Sequence, residues 1–237
     1  MNVSGKKAVV FGGTSGMGLA TVEKLVAGGA TVVAVGRSES KASVLPKDVS
    51  FEACDVRDGD AVAELLSKHA PYDILISAAT GGERAIGPFL EMDMDGYKAS
   101  FDKLWGYANV VRFGAAHVTD GGSITLVSGA PARNCRPGQV SLSSVGSAVE
   151  ALVRAVAREV APRIRVNVMS PGTVDTPMVP AVGEARTQLY ANMTAGNLIP
   201  RAGTAEECAK GIMFLVENDF VTGTTVDIDG GWLLRQS

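Results

Sequence analysis

The chain has 237 residues, 46% of them hydrophobic and 20% charged, with a formal net charge of −3. That length allows one large α/β domain with a sizeable core, and residues 1–237 are read as a single domain. The balance of charge speaks against a disordered chain, a nucleic-acid surface and a basic membrane tail, and no apolar run reaches the ~18 residues of a bilayer span.

Met1–Lys7 leads straight into the first strand, so no signal peptide is expected. Cys54, Cys135 and Cys208 are widely spaced and lack metal-ligand spacing. They read as reduced thiols of a cytoplasmic protein, and no metal site is expected. His69 and His117 are the only histidines, and surface or packing roles in helical segments are expected for both.

The apolar run Ala8–Phe11 ends in Gly12-Gly13-Thr14-Ser15-Gly16-Met17-Gly18, and a helical pattern follows through Leu19, Val22, Leu25 and Val26. A buried strand, a glycine turn and a helix start present unpaired backbone N–H groups and about half a positive charge to an anion. Glycines let the backbone approach a pyrophosphate closely and let the helix pack tightly on the strand. Gly12, Thr14, Ser15, Gly16, Met17 and Gly18 are therefore candidate nucleotide ligands.

Strands and helices then alternate. The second strand is Ala30–Val35, and a third ends near Phe51–Cys54. A helix follows with Val62, Leu65 and Leu66 on its apolar side. The fourth strand is Asp73–Ser77. A long helix is expected over Met92–His117, a fifth strand over Ser123–Ser128 and a second long helix over Gln139–Ala161. The sixth strand is Ile164–Met169. Pro171–Pro200 reads as loop-rich. A helix over Ala205–Glu217 and a last strand, Thr224–Ile228, complete the pattern. The alternation predicts an α/β fold: a Rossmann-type, doubly wound parallel sheet of about seven strands with helices on both faces.

In such sheets ligands sit at the carboxyl ends of the strands. An acidic residue after the second strand would bind the ribose 2′-hydroxyl of NAD and repel a 2′-phosphate. This chain has Gly36, Arg37 and Ser38 there. A guanidinium clamps a phosphate through paired charge-assisted hydrogen bonds, so NADP(H) is the expected cofactor, unless Arg37 is a solvated loop charge. Asp55, after the third strand, is placed to accept from an adenine amine.

With these motifs the chain resembles the short-chain dehydrogenase/reductase family over nearly its whole length. The resemblance rests on Gly12–Gly18, Cys54-Asp55-Val56, Asp73–Ser77, the run from Val166 to Met178, Val221-Thr222-Gly223 and Asp229-Gly230-Gly231. It implies that Pro171, Gly172, Val174 and Thr176 lie along the nicotinamide end, with the Val174 N–H and the Thr176 hydroxyl toward the carboxamide. It also places Asp55, Val56, Ala78 and Ala79 along the cofactor, and implies a homodimer or homotetramer paired through the two long helices. Phe11 stands where a Thr is usual, and Ser77–Thr80 where Asn-Asn-Ala-Gly is usual.

The family's acid–base machinery is a Ser, a Tyr-x-x-x-Lys pair and an upstream Asn. Reducing a carbonyl builds an alkoxide that needs a proton, and a tyrosine beside an ammonium supplies it. Aligned on Glu150–Glu159, the Tyr and Lys positions fall on Leu142 and Gly146. The Ser position falls on Gly129, after Ser128, and the Asn position on Lys103. No Tyr stands between Tyr107 and Tyr190, and Gln139–Ala161 contains no Lys.

Lys103 is the first candidate to replace the lost groups, its ammonium reaching into the space Gly146 vacates beside the nicotinamide ribose. A solvated helix lysine is the bland alternative. Arg133 is placed to polarise a carbonyl or bind a carboxylate, though it is a poor acid. Ser128, Ser143 and Ser144 offer hydroxyls to a substrate. Cys135 lacks a nearby His and is a weak nucleophile candidate. Met178, Val179, Leu189, Tyr190 and Met193 read as a substrate lid or as packing.

The expected function is an atypical NADP(H)-dependent oxidoreductase acting on a small molecule. Imine or iminium reduction is a natural subclass, because a cationic acceptor becomes neutral on taking hydride. A catalytically silent NADP(H)-binding sensor and a non-redox enzyme using the same pocket remain the alternatives. Neither a nucleic acid nor a membrane is an expected partner.

Overall fold

The structure is a computed structural model that describes residues 1–80 and 82–235. In chain order, β1 (Lys7–Phe11), α1 (Gly16–Ala27), β2 (Thr31–Gly36), β3 (Ser50–Ala53), α2 (Gly59–Lys68) and β4 (Tyr72–Ser77) form the first half. α3 (Met94–Ser100), α4 (Asp102–Gly114), β5 (Val118–Val127), α5 (Val140–Val160) and β6 (Arg165–Pro171) follow. β7 (Val174–Asp175), α6 (Gly183–Thr194), β8 (Gly203–Thr204), α7 (Ala205–Glu217) and β9 (Thr225–Ile228) complete the order.

Seven strands form one parallel sheet in the order β3-β2-β1-β4-β5-β6-β9, and β7 pairs with β8 beside it. The expected doubly wound fold is present. Strand alternation builds its two cores. Val9 and Phe11 face one side with Leu66, Leu75, Val110 and Val153. Ala8 and Val10 face the other with Val22, Leu25, Ile76 and Ile212. The order reverses between β1 and β4, which stay paired to their last residues, Phe11 and Ser77; where the chain leaves two such strands toward opposite faces a crevice forms, the usual ligand position in such sheets.

Three elements depart from the sequence reading. The helix expected over Met92–His117 is two helices, broken at Phe101. Asp93 caps α3 by accepting from the Gly96 N–H at 2.8 Å. Ser100 ends it, its hydroxyl donating to the Gly96 carbonyl and accepting from the Ala85 N–H, each at 2.9 Å. Tyr97 stacks edge-on between Phe89 and Phe101, with centroids 5.8 and 5.4 Å away. The stretch Pro171–Pro200 contains α6, which sequence periodicity missed because it buries only Tyr190 and Thr194 and has no apolar stripe. β5 begins at Val118 rather than Ser123, running through the turn-like Asp120-Gly121-Gly122 with a register shift opposite Tyr72–Ile74.

α5 is long and apolar enough to cross a bilayer by length and composition alone. Here it is a core helix, with Val149, Val153 and Ala157 buried in the apolar layer that also holds β5 and β6 residues.

Candidate active site

The turn between β1 and α1 is shaped by glycine. Gly12 and Gly16 have φ of +75° and +51°, in the left-handed region that side chains disfavour. A Cβ on Gly12 would lie 2.8 Å from the Ala79 nitrogen, and one on Gly18 2.1 Å from the Gly12 carbonyl oxygen. Only hydrogen fits at either place. Ser15 is the N-cap of α1, yet its side chain makes no capping bond and no acidic residue stands in the first turn. The first N–H groups of α1 are therefore left for an anion.

A cleft of about 610 Å³ opens there. Gly12, Thr14, Ser15, Gly16, Met17 and Gly18 line one side of it. Arg37, Ser38, Asp55, Val56, Ala78 and Ala79 line the rest, and Thr176 reaches in from the segment after β7. Lys41, which the sequence reading passed over, adds a second cation next to Arg37 in this lining. Gly36 has a structural reason of its own: a Cβ there would meet the Thr14 hydroxyl oxygen at 2.9 Å. Asp55 is less free than expected. Arg57 donates to both its oxygens, at 3.0 Å from Nε and 2.6 Å from Nη2. That bond holds the Asp55 carboxyl below the usual carboxylate range, so it stays an acceptor. An open helix N-terminus, two cations and a turn that excludes side chains fit a phosphorylated dinucleotide.

A second cavity, about 380 Å³, adjoins the first. Met17, Ala78, Thr80, Thr176 and Met178 are walls of both. Pro171, Gly172 and Val174 line this second cavity, at the carboxyl end of β6. Tyr190 of α6 closes over it, its hydroxyl 3.3 Å from the Thr176 N–H and 3.4 Å from the Val174 carbonyl. Val179 and Met193 of the expected lid also line it, whereas Leu189 is exposed on α6.

Lys103, Ser128, Leu142 and Gly146 meet on the wall of this cavity. The Lys103 ammonium donates to the Ser128 carbonyl at 3.0 Å and lies 5.5 Å from the Tyr107 ring centroid. It does not enter a space left by Gly146, because that space is filled. A Cβ on Gly146 would lie 2.8 Å from the Ala132 Cβ. Burial, and then the neighbouring Arg84 guanidinium, push the Lys103 amine down to about 8. Tyr107, whose ring faces the Lys103 ammonium, also lines the cavity. It donates to the Val127 carbonyl at 3.1 Å, and burial raises its pKa well above the ordinary value.

The structure does not bring Arg133 to the cavity wall. Its Nη1 donates to Asp227 at 2.7 Å, its Nη2 to the Ser170 hydroxyl at 2.9 Å, and its Nε stands 3.3 Å from Glu150. The Ser128 hydroxyl donates to the same Glu150 at 3.1 Å. Arg133 thus ties the loop after β5 to α5, β6 and β9. Glu150 was not singled out in the sequence, although a carboxylate one turn after Gly146 on a buried helix face is a usable signal. Ser143 is buried without a hydrogen-bond partner among the described residues, and Ser144 accepts from the Tyr97 hydroxyl at 3.0 Å. Neither they nor the exposed Cys135 reach the cavity wall. Arg84, on the loop after β4, and Arg235 near the C-terminus do line it, as do Gln139, Ser141 and Trp232. Arg84 follows from the rule that ligands gather at strand carboxyl ends. Arg235 was not legible before the chain was folded.

Comparison with known proteins agrees with this geometry. The family model described as enoyl-(acyl carrier protein) reductase matches residues 12–233. The cyclic-di-GMP-binding biofilm dispersal mediator protein of Escherichia coli is 31% identical over 97% of this chain and 98% of its own length. The 3-oxoacyl-(acyl-carrier-protein) reductase of Thermotoga maritima is 31% identical over 99% of this chain and 100% of its own. A crystal structure of a small-chain dehydrogenase in complex with NADPH superimposes with a TM-score of 0.81, at 27% identity, covering 98% of this chain and 100% of that one. The chain belongs to the short-chain dehydrogenase/reductase family of NAD(P)-dependent oxidoreductases.

Proposed function

We propose that this protein is an NADP(H)-dependent oxidoreductase of the cytoplasm, a homodimer or homotetramer, acting on a small carbonyl, imine or iminium compound. The observation that carries the reading is the shared wall. Thr176, Met17 and Ala78 belong both to the dinucleotide cleft and to the adjoining cavity, so a cofactor held in one would have its reactive end open to the other. Arg37 and Lys41 line the dinucleotide cleft after β2, and their charges would suit a 2′-phosphate.

A bound nicotinamide supplies hydride to an electrophilic carbon, or removes it from a carbinol or amine. The chain's own residues do the rest. The α1 N-terminus and the glycine turn would hold the pyrophosphate. Val174 and Thr176 would hold the carboxamide end. An alkoxide formed in the cavity needs a proton, and Lys103 is the wall group best matched to give one near neutral pH. It becomes a neutral amine and recovers its proton from solvent. Leu142 and Val145 supply apolar wall. A substrate that arrives as an iminium leaves as a neutral amine and needs no donor. In this reading Leu142 and Gly146 stand at the family's Tyr and Lys positions, and Lys103 takes over the acid role.

A second reading, a nucleotide-binding protein without turnover, is favoured by Tyr107, whose hydroxyl is committed to backbone and made less acidic by burial. It is also favoured by the Escherichia coli relative, whose name describes a binding protein. Titration with NADPH and NADH, followed by single-turnover oxidation on ketones and imines, separates the two. Tighter NADPH binding with hydride transfer supports the enzyme. Tight binding with no transfer on any compound supports the second reading.

A further inference from the structure

The 380 Å³ cavity has a one-sided charge. Arg84, Lys103 and Arg235 line it, and among the described residues no Asp or Glu does. Arg235 is already occupied. It donates to the Met193 carbonyl at 2.9 Å, reaches Asn197 at 3.3 Å and stacks 5.1 Å from the Trp232 ring centroid. Arg84 and Lys103 are different. Among the described residues neither has a carboxylate partner. Among the described residues the Arg84 side chain's one hydrogen-bond partner is a thioether, its Nη2 lying 2.7 Å from Met178 Sδ, and Lys103 has one backbone carbonyl and the face of the Tyr107 ring. Burial disfavours the charge on each, and Arg84 adds repulsion at Lys103. Two cations held together in a partly dry pocket without a counter-charge cost stability that an anionic ligand would recover.

The arrangement is built. The segment carrying Arg84 is pinned on both sides: the Ala85 N–H donates to Ser100 at 2.9 Å, and the Ser141 hydroxyl donates to the Ala85 carbonyl. Gln139, on the same cavity, has its buried Oε1 unpartnered among the described residues. The cofactor's phosphates do not account for the pair, because the α1 N-terminus, Arg37 and Lys41 that suit them line the other cleft. A guanidinium fork matches a planar carboxylate in two parallel hydrogen bonds, and the cavity is at the small end of ligand sites.

Resting on the oxidoreductase reading above, we propose that the substrate is a small carbonyl or imine compound bearing a carboxylate, which Arg84 grips while Lys103 serves the reacting group. Arg84 is then the residue that sets substrate class.

The test uses the protein loaded with NADP⁺ and calorimetry against matched pairs: pyruvate and pyruvamide, acetoacetate and acetoacetamide, levulinate and levulinamide. At least one acid is expected to bind about tenfold or more tightly than its amide. Arg84→Met should abolish that preference while NADP⁺ affinity holds, and Arg84→Lys, which keeps the charge and loses the fork, should fall between. The lysine variant also carries the test if the methionine variant does not fold. Equal binding of every acid and amide, a preference that survives Arg84→Met, or tighter binding of hydroxyacetone phosphate than of any acid would each overturn the proposal. Acids that bind selectively without any NADPH oxidation would leave carboxylate recognition by Arg84 standing and count against the hydride-transfer reading instead.

Discussion

Ala132 fills the space beside Gly146. A Cβ on Gly146 would stand 2.8 Å from the Ala132 Cβ and 3.3 Å from its Cα. The short 3-10 turn Ala130–Ala132 can therefore lie directly on α5, where Ser147 also donates to the Ala132 carbonyl at 2.7 Å. Any side chain at 146 would have to displace Ala132 at its first carbon. The absence of a side chain at 146 and the close docking of the loop after β5 are one structural fact.

Gly146→Ala should consequently destabilise the fold. A helix interior normally gains up to about 1 kcal/mol from this change. Overpacking against a fixed backbone costs about 1–3 kcal/mol, and here that term wins. Urea unfolding should show a lower midpoint for Gly146→Ala, with recovery in the Gly146→Ala, Ala132→Gly double variant.

Lys103→Met should lower turnover on a ketone by roughly 10²–10⁴-fold, the usual worth of a general acid, and leave NADPH affinity within about threefold. In the native protein the ammonium is the donor, so the reduction rate should fall as pH rises through about 8. An iminium substrate should show neither effect. Single-turnover traces against pH check both.

The same shift has a stability consequence of definite sign. Lys103 releases its proton near 8 when folded and near its ordinary 10.5 when unfolded. Between those values the unfolded chain binds more protons, so this group's contribution to stability rises with pH. Lys103→Met should therefore be more stable than the native protein at pH 7, and the gap should shrink toward pH 10. Denaturant midpoints at the two pH values decide it.

Arg37→Ala should weaken NADPH binding by about tenfold and leave NADH nearly unchanged, since one charge-assisted phosphate contact is lost and its site is open to solvent. Equal losses for both cofactors would mean that Arg37 only shapes the loop. Fluorescence titration reads the difference.

Glu150→Gln should loosen the loop after β5. Glu150 is 3% exposed and serves both Ser128 and Arg133. Removing one partner of a buried pair can cost about 3–5 kcal/mol, but Arg133 keeps Asp227, so a loss nearer 2 kcal/mol is expected. Urea unfolding measures it, and Asp227→Asn in the same background should add a further loss.

The parallel sheet was legible because its strands are short apolar runs separated by helical periods. The cofactor turn was legible because its glycines are local in sequence and their backbone demands are local too. α6 was not, since a helix that packs by one Tyr and one buried Thr leaves no periodic trace. The break at Phe101 was not, because Ser100 ends α3 through Ala85, fifteen positions earlier in the chain.

From its residues alone the chain determined the doubly wound sheet and the turn that opens α1, along with the positions of Lys103 and Arg37 on it. These follow from hydrophobic period and glycine geometry, which act over a few neighbours. The tertiary structure decided what those side chains face. Only folding could place Ala132 against Gly146 or tie Arg133 to Glu150 and Asp227. It also left Arg84 and Lys103 together without a counter-charge. Each depends on residues far apart in sequence, brought to the carboxyl ends of different strands, where electrostatics and steric exclusion act through space rather than along the chain.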